Sequence, residues 1–173
     1  MKLKALIPAA ALAILAACGT PYRATDESVV MTPTYTLNAF NHQYPGAINV
    51  VWSNYDATMT TPIDWELAGW TVLDPSDYTV RFDLDNESYY AWYNDKGDWI
   101  GTAYMIRDYN TMPAAVMDAV HNQFPDYTIV NANREFQTDR IAYEVVLKNS
   151  DTKVKVLMDP NGNIIRQKNK PLY

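Results

Sequence analysis

Two stretches of the chain carry apolar residues at three- and four-residue steps, and several others alternate them with polar ones. Leu37, Phe40 and Tyr44 fall on one side of a predicted helix that Pro45-Gly46 stops. Val116, Val120 and Phe124 make the stripe of a second helix, opened by Met112-Pro113 and ended by Pro125. Pro113 suits a first helical turn, where a missing N–H costs nothing. The alternating blocks predict strands. Ile48, Val50 and Trp52 form the first. Tyr78, Val80, Phe82 and Leu84 then alternate with Thr79, Arg81, Asp83 and Asp85, and Tyr143, Val145 and Leu147 with Glu144, Val146 and Lys148.

The pattern occurs twice. Ala39-Phe40-Asn41-His42-Gln43-Tyr44-Pro45 returns as Ala119-Val120-His121-Asn122-Gln123-Phe124-Pro125, 80 positions later. Each copy also carries a Gly-containing turn, at Asn94 to Gly97 and at Asp159 to Gly162. Tyr143 follows Tyr78 by only 65 positions, so the first copy holds 15 extra residues, which fall within 56–75. The copies predict an α+β fold of two tandem repeats, each a helix packed on about four antiparallel β-strands. Their expected bounds are 37–108 and 109–173, and they either share one continuous sheet or stand side by side. Aligning the copies sorts faces: Val154, Val156 and Met158 match Tyr89, Ala91 and Tyr93, a set expected to face the helix. Lys153, Lys155 and Leu157 match Ser88, Tyr90 and Trp92, so Tyr90 and Trp92 are expected on the open face of the sheet.

Residues 1–17 read as a lipoprotein signal peptide. Lys2 and Lys4 precede an apolar run from Ala5 to Ala17 that is too short to span a bilayer. Leu15-Ala16-Ala17-Cys18 is similar to a bacterial lipobox, which implies lipidation of Cys18, the only cysteine, and attachment to a membrane through it. Gly19 after the cysteine favours the outer membrane, by resemblance to enterobacterial sorting. Residues 18–36, with two prolines and no apolar period, read as a tether. From Cys18 onward the chain has 12 basic and 20 acidic residues, a net charge of −8. That argues against nucleic acid and anionic lipid as partners.

The predicted helices, the Tyr44-Pro45-Gly46-Ala47 and Val51-Trp52 segments, the Ala91-to-Trp99 hairpin and Met112-Pro113-Ala114-Ala115-Val116 together resemble the β-lactamase-inhibitor-like, PepSY-like family. These are secreted or lipid-anchored proteins common in Bacteroidetes. The resemblance implies tandem helix-plus-sheet modules, no catalytic residues and a sheet face used for binding. The extra residues of the first copy depart from the family pattern.

The residues give little support to catalysis. There is no Gly-x-Ser-x-Gly motif, no catalytic cysteine, and only His42 and His121 as imidazoles, both expected at the surface. Two distant histidines make no zinc site, and no cofactor is expected. Asp83, Asp85, Asn86 and Glu87 lack the glycine of a calcium loop and read as a solvated hairpin turn. Asp64 and Glu66 form no more than a chance carboxylate pair in an acidic chain. The insertion brings Trp65 and Trp70, which either tuck back over the sheet or, with Tyr90 and Trp92, anchor a partner. The expected function is therefore a non-catalytic, lipid-anchored envelope protein. It binds a protein or peptide, as an inhibitor in one version, through the aromatic face and loop. The alternative is a glycan or small ligand on the same aromatics.

Overall fold

The computed structural model describes residues 30–172; Cys18, the signal segment and the tether up to residue 29 lie outside them. The order along the chain is α1 (Thr34–Gln43), β1 (Ile48–Asn54), α2 (Trp65–Ala68), β2 (Tyr78–Leu84), β3 (Glu87–Tyr93) and β4 (Trp99–Met105). A 3₁₀ turn (Tyr109–Thr111) then leads to α3 (Ala114–Gln123), β5 (Thr128–Phe136), β6 (Ile141–Lys148), β7 (Thr152–Met158) and β8 (Ile164–Pro171). All eight strands join one antiparallel sheet in chain order, β1 to β8. Of the two arrangements left open by the sequence, the continuous sheet is the one adopted.

Both long helices lie on one side. Phe40 of α1 packs with Val80, Phe82, Ala91 and Tyr93, and Val116 and Val120 of α3 with Tyr143, Val145, Leu147, Val154, Val156 and Met158. Cross-strand pairing carries one face through both halves: Tyr89 stands opposite Tyr104, Tyr104 opposite Arg134, and Arg134 opposite Tyr143. The alternation in β2, β3, β6 and β7 therefore points as expected. α1 starts at Thr34, inside the stretch read as tether, because Pro33 occupies its N-cap as Pro113 does for α3.

One strand breaks the expected alternation. In β1 the register jumps between Ile48 and Val51, and Asn49 adopts φ 53°, held by its amide donating to Asp83 Oδ2 at 2.8 Å. Trp52 turns to the helix side opposite Val80, while Val51 turns to the other side opposite Arg81. Ile48 and Val50 remain exposed. The acidic stretch after Phe82 is a two-residue hairpin with Asp85 and Asn86 both at positive φ, which fits the solvated turn expected there.

Candidate functional site

The face away from the helices is where the halves differ. Tyr90 stands opposite Ala103, Ala103 opposite Glu135, and Glu135 opposite Ala142, forming one row across β3 to β6, with Trp92 opposite Gly101 beside it on the same face. A second row runs Met105, Asn133, Glu144, Leu157, Arg166. Tyr90 and Trp92 are on the expected side, yet that side is not open. The insertion lies across it, and Trp92 is 0 % exposed. The expectation of an open aromatic platform is corrected: the aromatics belong to a covered interface, because residues 56–75 fold across them.

The cover is built locally by a single helical turn. Asp64 caps α2 by accepting from the Leu67 N–H, and Gly69 closes it at φ 64°, the left-handed conformation that glycine adopts without penalty. The turn sets Trp65 and Trp70 against Trp92, with centroids 5.0 Å and 5.5 Å from its ring, both edge-on. Trp65 and Trp70 meet each other at 5.6 Å, and Tyr90 stacks on Trp92 at 6.2 Å. Such pairs each contribute about 0.5–1.5 kcal/mol beyond burial. All four sequence-predicted residues are thus brought together. Trp92 and Trp70 are buried, whereas Trp65 and Tyr90 are half-buried. Gly101 permits the fit, since a Cβ there would sit 2.5 Å from the Trp70 ring.

Polar contacts fasten the same segment to the second half. The Asp64 N–H donates to Glu144 Oε2 at 2.8 Å, and Asp64 Oδ2 receives Lys155 Nζ at 2.8 Å. Lys168 bridges Asp64 and Glu66, Arg140 donates to the Ala68 carbonyl at 2.7 Å, and Arg166 donates to the Glu66 carbonyl at 3.1 Å. The Asn133 amide donates to the Pro62 carbonyl. Burial pushes the Asp64 carboxyl up, but Lys155, the Leu67 N–H and the charge of Lys168 outweigh it and hold it below the ordinary value. Lys155, the position that matches Tyr90 when the halves are aligned, is therefore part of the insertion's seat.

Two buried carboxylates complete the face, and sequence reasoning missed both. Glu144 and Glu135 are each 1 % exposed. Neither oxygen of Glu135 has a hydrogen-bonding partner in the protein. Burial first, and the neighbouring Glu144 second, push the Glu135 carboxyl up to about 8. Glu144 is raised too, mainly by burial, against the Asp64 N–H and Lys155. The only sequence signal was an outward-facing Glu144 in an alternating strand.

The insertion stops short of β1 and β2. Beside it runs an open groove of about 1070 Å³ whose lining includes Val51, Trp52, Tyr55, Met59, Arg81 and Tyr90. A smaller hollow of about 270 Å³ lies on the other flank, between Thr60-Thr61-Pro62 and Met105 and Arg107. Tyr90 borders both. His42 and His121 are exposed. Among the described residues no group of three or more His, Cys, Asp or Glu is placed to hold a metal ion. No helix among them is long and apolar enough to cross a membrane.

Comparison with known proteins agrees with the architecture. The family described as "Putative beta-lactamase-inhibitor-like, PepSY-like" matches residues 76–166, just over half of the chain. A BLIP-like protein from Bacteroides fragilis superposes with a TM-score of 0.65 at 15% identity, covering 84% of this chain and 92% of its own. A DUF2874 family protein from Bacteroides uniformis gives 0.63 at 20% identity, with 80% and 89% covered. A Bacteroides eggerthii structure described as "putative periplasmic proteins" gives 0.61 at 19% identity, with 80% and 88% covered. These likenesses are of fold. No functionally curated protein matches the chain.

Proposed function

Because the chain belongs to the β-lactamase-inhibitor-like, PepSY-like family, we propose that it is a non-catalytic binding protein of the cell envelope, acting on a protein or peptide partner. In this reading the halves 37–108 and 109–173 are tandem repeats. Lipidation at Cys18 holds the chain to the outer membrane, and inhibition of an enzyme is one form the binding takes. The matching order of helix and four strands in each half supports the first point.

The observation that carries the reading is the groove beside the insertion. Its wall holds exposed apolar side chains, with Val51 47 % and Met59 49 % exposed, and half-buried Tyr90 at its floor. Its rim is β1, an edge strand. The sequence Ile48 to Asn54 carries no charge, whereas the opposite edge, β8, carries Arg166, Lys168 and Lys170 and ends in Pro171. Charged side chains and proline guard an edge against strand addition, and β1 lacks them. The occupant is an extended segment of a protein partner, pairing along β1 and placing apolar side chains in the groove. Trp65, Trp70 and Trp92 act beneath it, fixing the insertion that forms one wall, and Tyr90 makes contact. The tryptophan rings pack edge-on against one another, with Trp70 and Trp92 buried, which favours a protein segment over stacking on a sugar.

The test places photocrosslinkers at Val51, Met59 and, as a control, Lys170 in the intact envelope. One partner crosslinked from both groove positions but not from Lys170, and lost in Tyr90→Ala while circular dichroism shows the chain still folded, is the expected outcome. Equal capture from Lys170, or release of the partner by glycan competition, would overturn the reading.

A further inference from the structure

The ground beneath the insertion holds an arrangement that partner binding does not use. Glu135 and Glu144 lie on the same face of neighbouring strands, in adjacent rows, both closed off from solvent. Glu144 is tied to the insertion through the Asp64 N–H at 2.8 Å and stands 3.9 Å from Lys155 Nζ. Glu135 has no such partner. The charges around the pair come from each element packed there: Asp64 and Glu66 of the insertion, and Arg140 of the β5–β6 turn. Lys153 and Lys155 come from β7, and Arg166 and Lys168 from β8. Arg140 spends a guanidinium N–H on the Ala68 carbonyl rather than on Glu135.

An ionised carboxylate closed in without a partner is costly, and a second one beside it adds repulsion. Glu135 therefore keeps its proton while the insertion is seated. Lifting the insertion admits water to both groups and returns Glu135 to the behaviour of an ordinary carboxyl. The seated state thus holds a proton that the lifted state releases.

We propose that residues 56–75 are a lid, latched over Tyr90 and Trp92 by protonated Glu135 and released when that proton leaves to solvent. The inference goes beyond the partner reading and does not rest on it. Linkage gives sign and size. Glu135 binds its proton more tightly in the closed state, so the latch is complete below the ordinary value of 4.5 and is lost as pH rises to about 8. Each pH unit in that window multiplies lid opening by up to about tenfold, roughly a thousandfold across it, and opening levels off above.

Amide hydrogen exchange on the full chain, divided by the intrinsic rate at each pH, reads the opening constant directly. The reporters are Leu67, Ala68 and Gly69, whose N–H groups are bonded within the insertion. Val145 and Val156 in the sheet serve as controls. Between pH 5 and pH 8.5 the lid amides are expected to lose protection by two to three orders of magnitude, by the same linkage, while the controls keep theirs. Glu135→Gln should remove most of the dependence, leaving the part that buried Glu144 contributes. Glu144→Gln, which keeps an acceptor for the Asp64 N–H, should shrink the slope by removing the neighbouring charge, and it serves if the first variant folds poorly. Lid protection that ignores pH, a slope unchanged in both variants, or sheet amides that weaken in step would overturn the proposal.

Discussion

At the scale of single residues, two carboxylates pull the insertion in opposite directions with pH. Asp64 titrates below its ordinary value of 3.8, so its hold through Lys155 is full above that value and is lost as pH falls further. Glu135 favours the seated insertion at low pH and stops doing so as pH rises to about 8. The insertion should therefore be held best at about pH 4–5, where both contributions are present. Exchange of the Ala68 amide measured from pH 3 to pH 9 checks this. Lys155→Met should shrink the acid limb, leaving what Lys168 and the Leu67 N–H still hold, and Glu135→Gln should shrink the alkaline one. The sequence placed Tyr90 and Trp92 on the correct face, since alternation in a strand is a local property. It gave no hint that Lys155 meets Asp64, 91 positions away, because nothing local links them.

At the scale of elements, α2 shows how little local structure a cover requires. Four residues, capped by Asp64 and closed by Gly69, aim two tryptophans at a third. The seat matters as much as the turn. Gly101→Ala places a methyl group 2.5 Å from the Trp70 ring, against the body of an indole packed on three sides. Overpacking of this kind should cost about 1–3 kcal/mol. Urea unfolding followed by tryptophan emission measures the loss, and a red-shifted native spectrum shows the displaced ring. β1 was only half legible. Its existence followed from apolar content, but the jump at Asn49 inverts the phase of alternation, and no single-strand pattern announces a bulge that depends on Asp83.

At the scale of the whole molecule, the insertion crosses the join between the halves. β4 and β5 are paired over Thr102 to Met105, with one further bond from the Ile106 N–H to the Ala132 carbonyl, a short seam for two four-stranded pieces. The insertion adds Asn133, Arg140, Glu144, Lys155, Arg166 and Lys168 of the second half as partners of a first-half segment. Stability is thereby shared. Residues 30–108 expressed alone should expose Leu67, which packs on Ala142 and Leu157, together with the β4 edge, and show no cooperative melt by circular dichroism. Mixing with residues 109–172 should restore one transition. Independent, cooperative melting of the first-half piece would contradict this account.

The sequence by itself determined the two long helices, the alternating strands between and after them, and the faces of most of those strands. Each of these rests on periodicity or on comparison between nearby positions. Only the tertiary structure decided that the sheet is continuous, that residues 56–75 fold over the aromatics instead of leaving them open, and that Glu144, Lys155 and Lys168 of the second half receive them. Those outcomes depend on burial and charge pairing between residues some 70 to 100 positions apart. A chain's local pattern carries no record of which distant surface will exclude water from it.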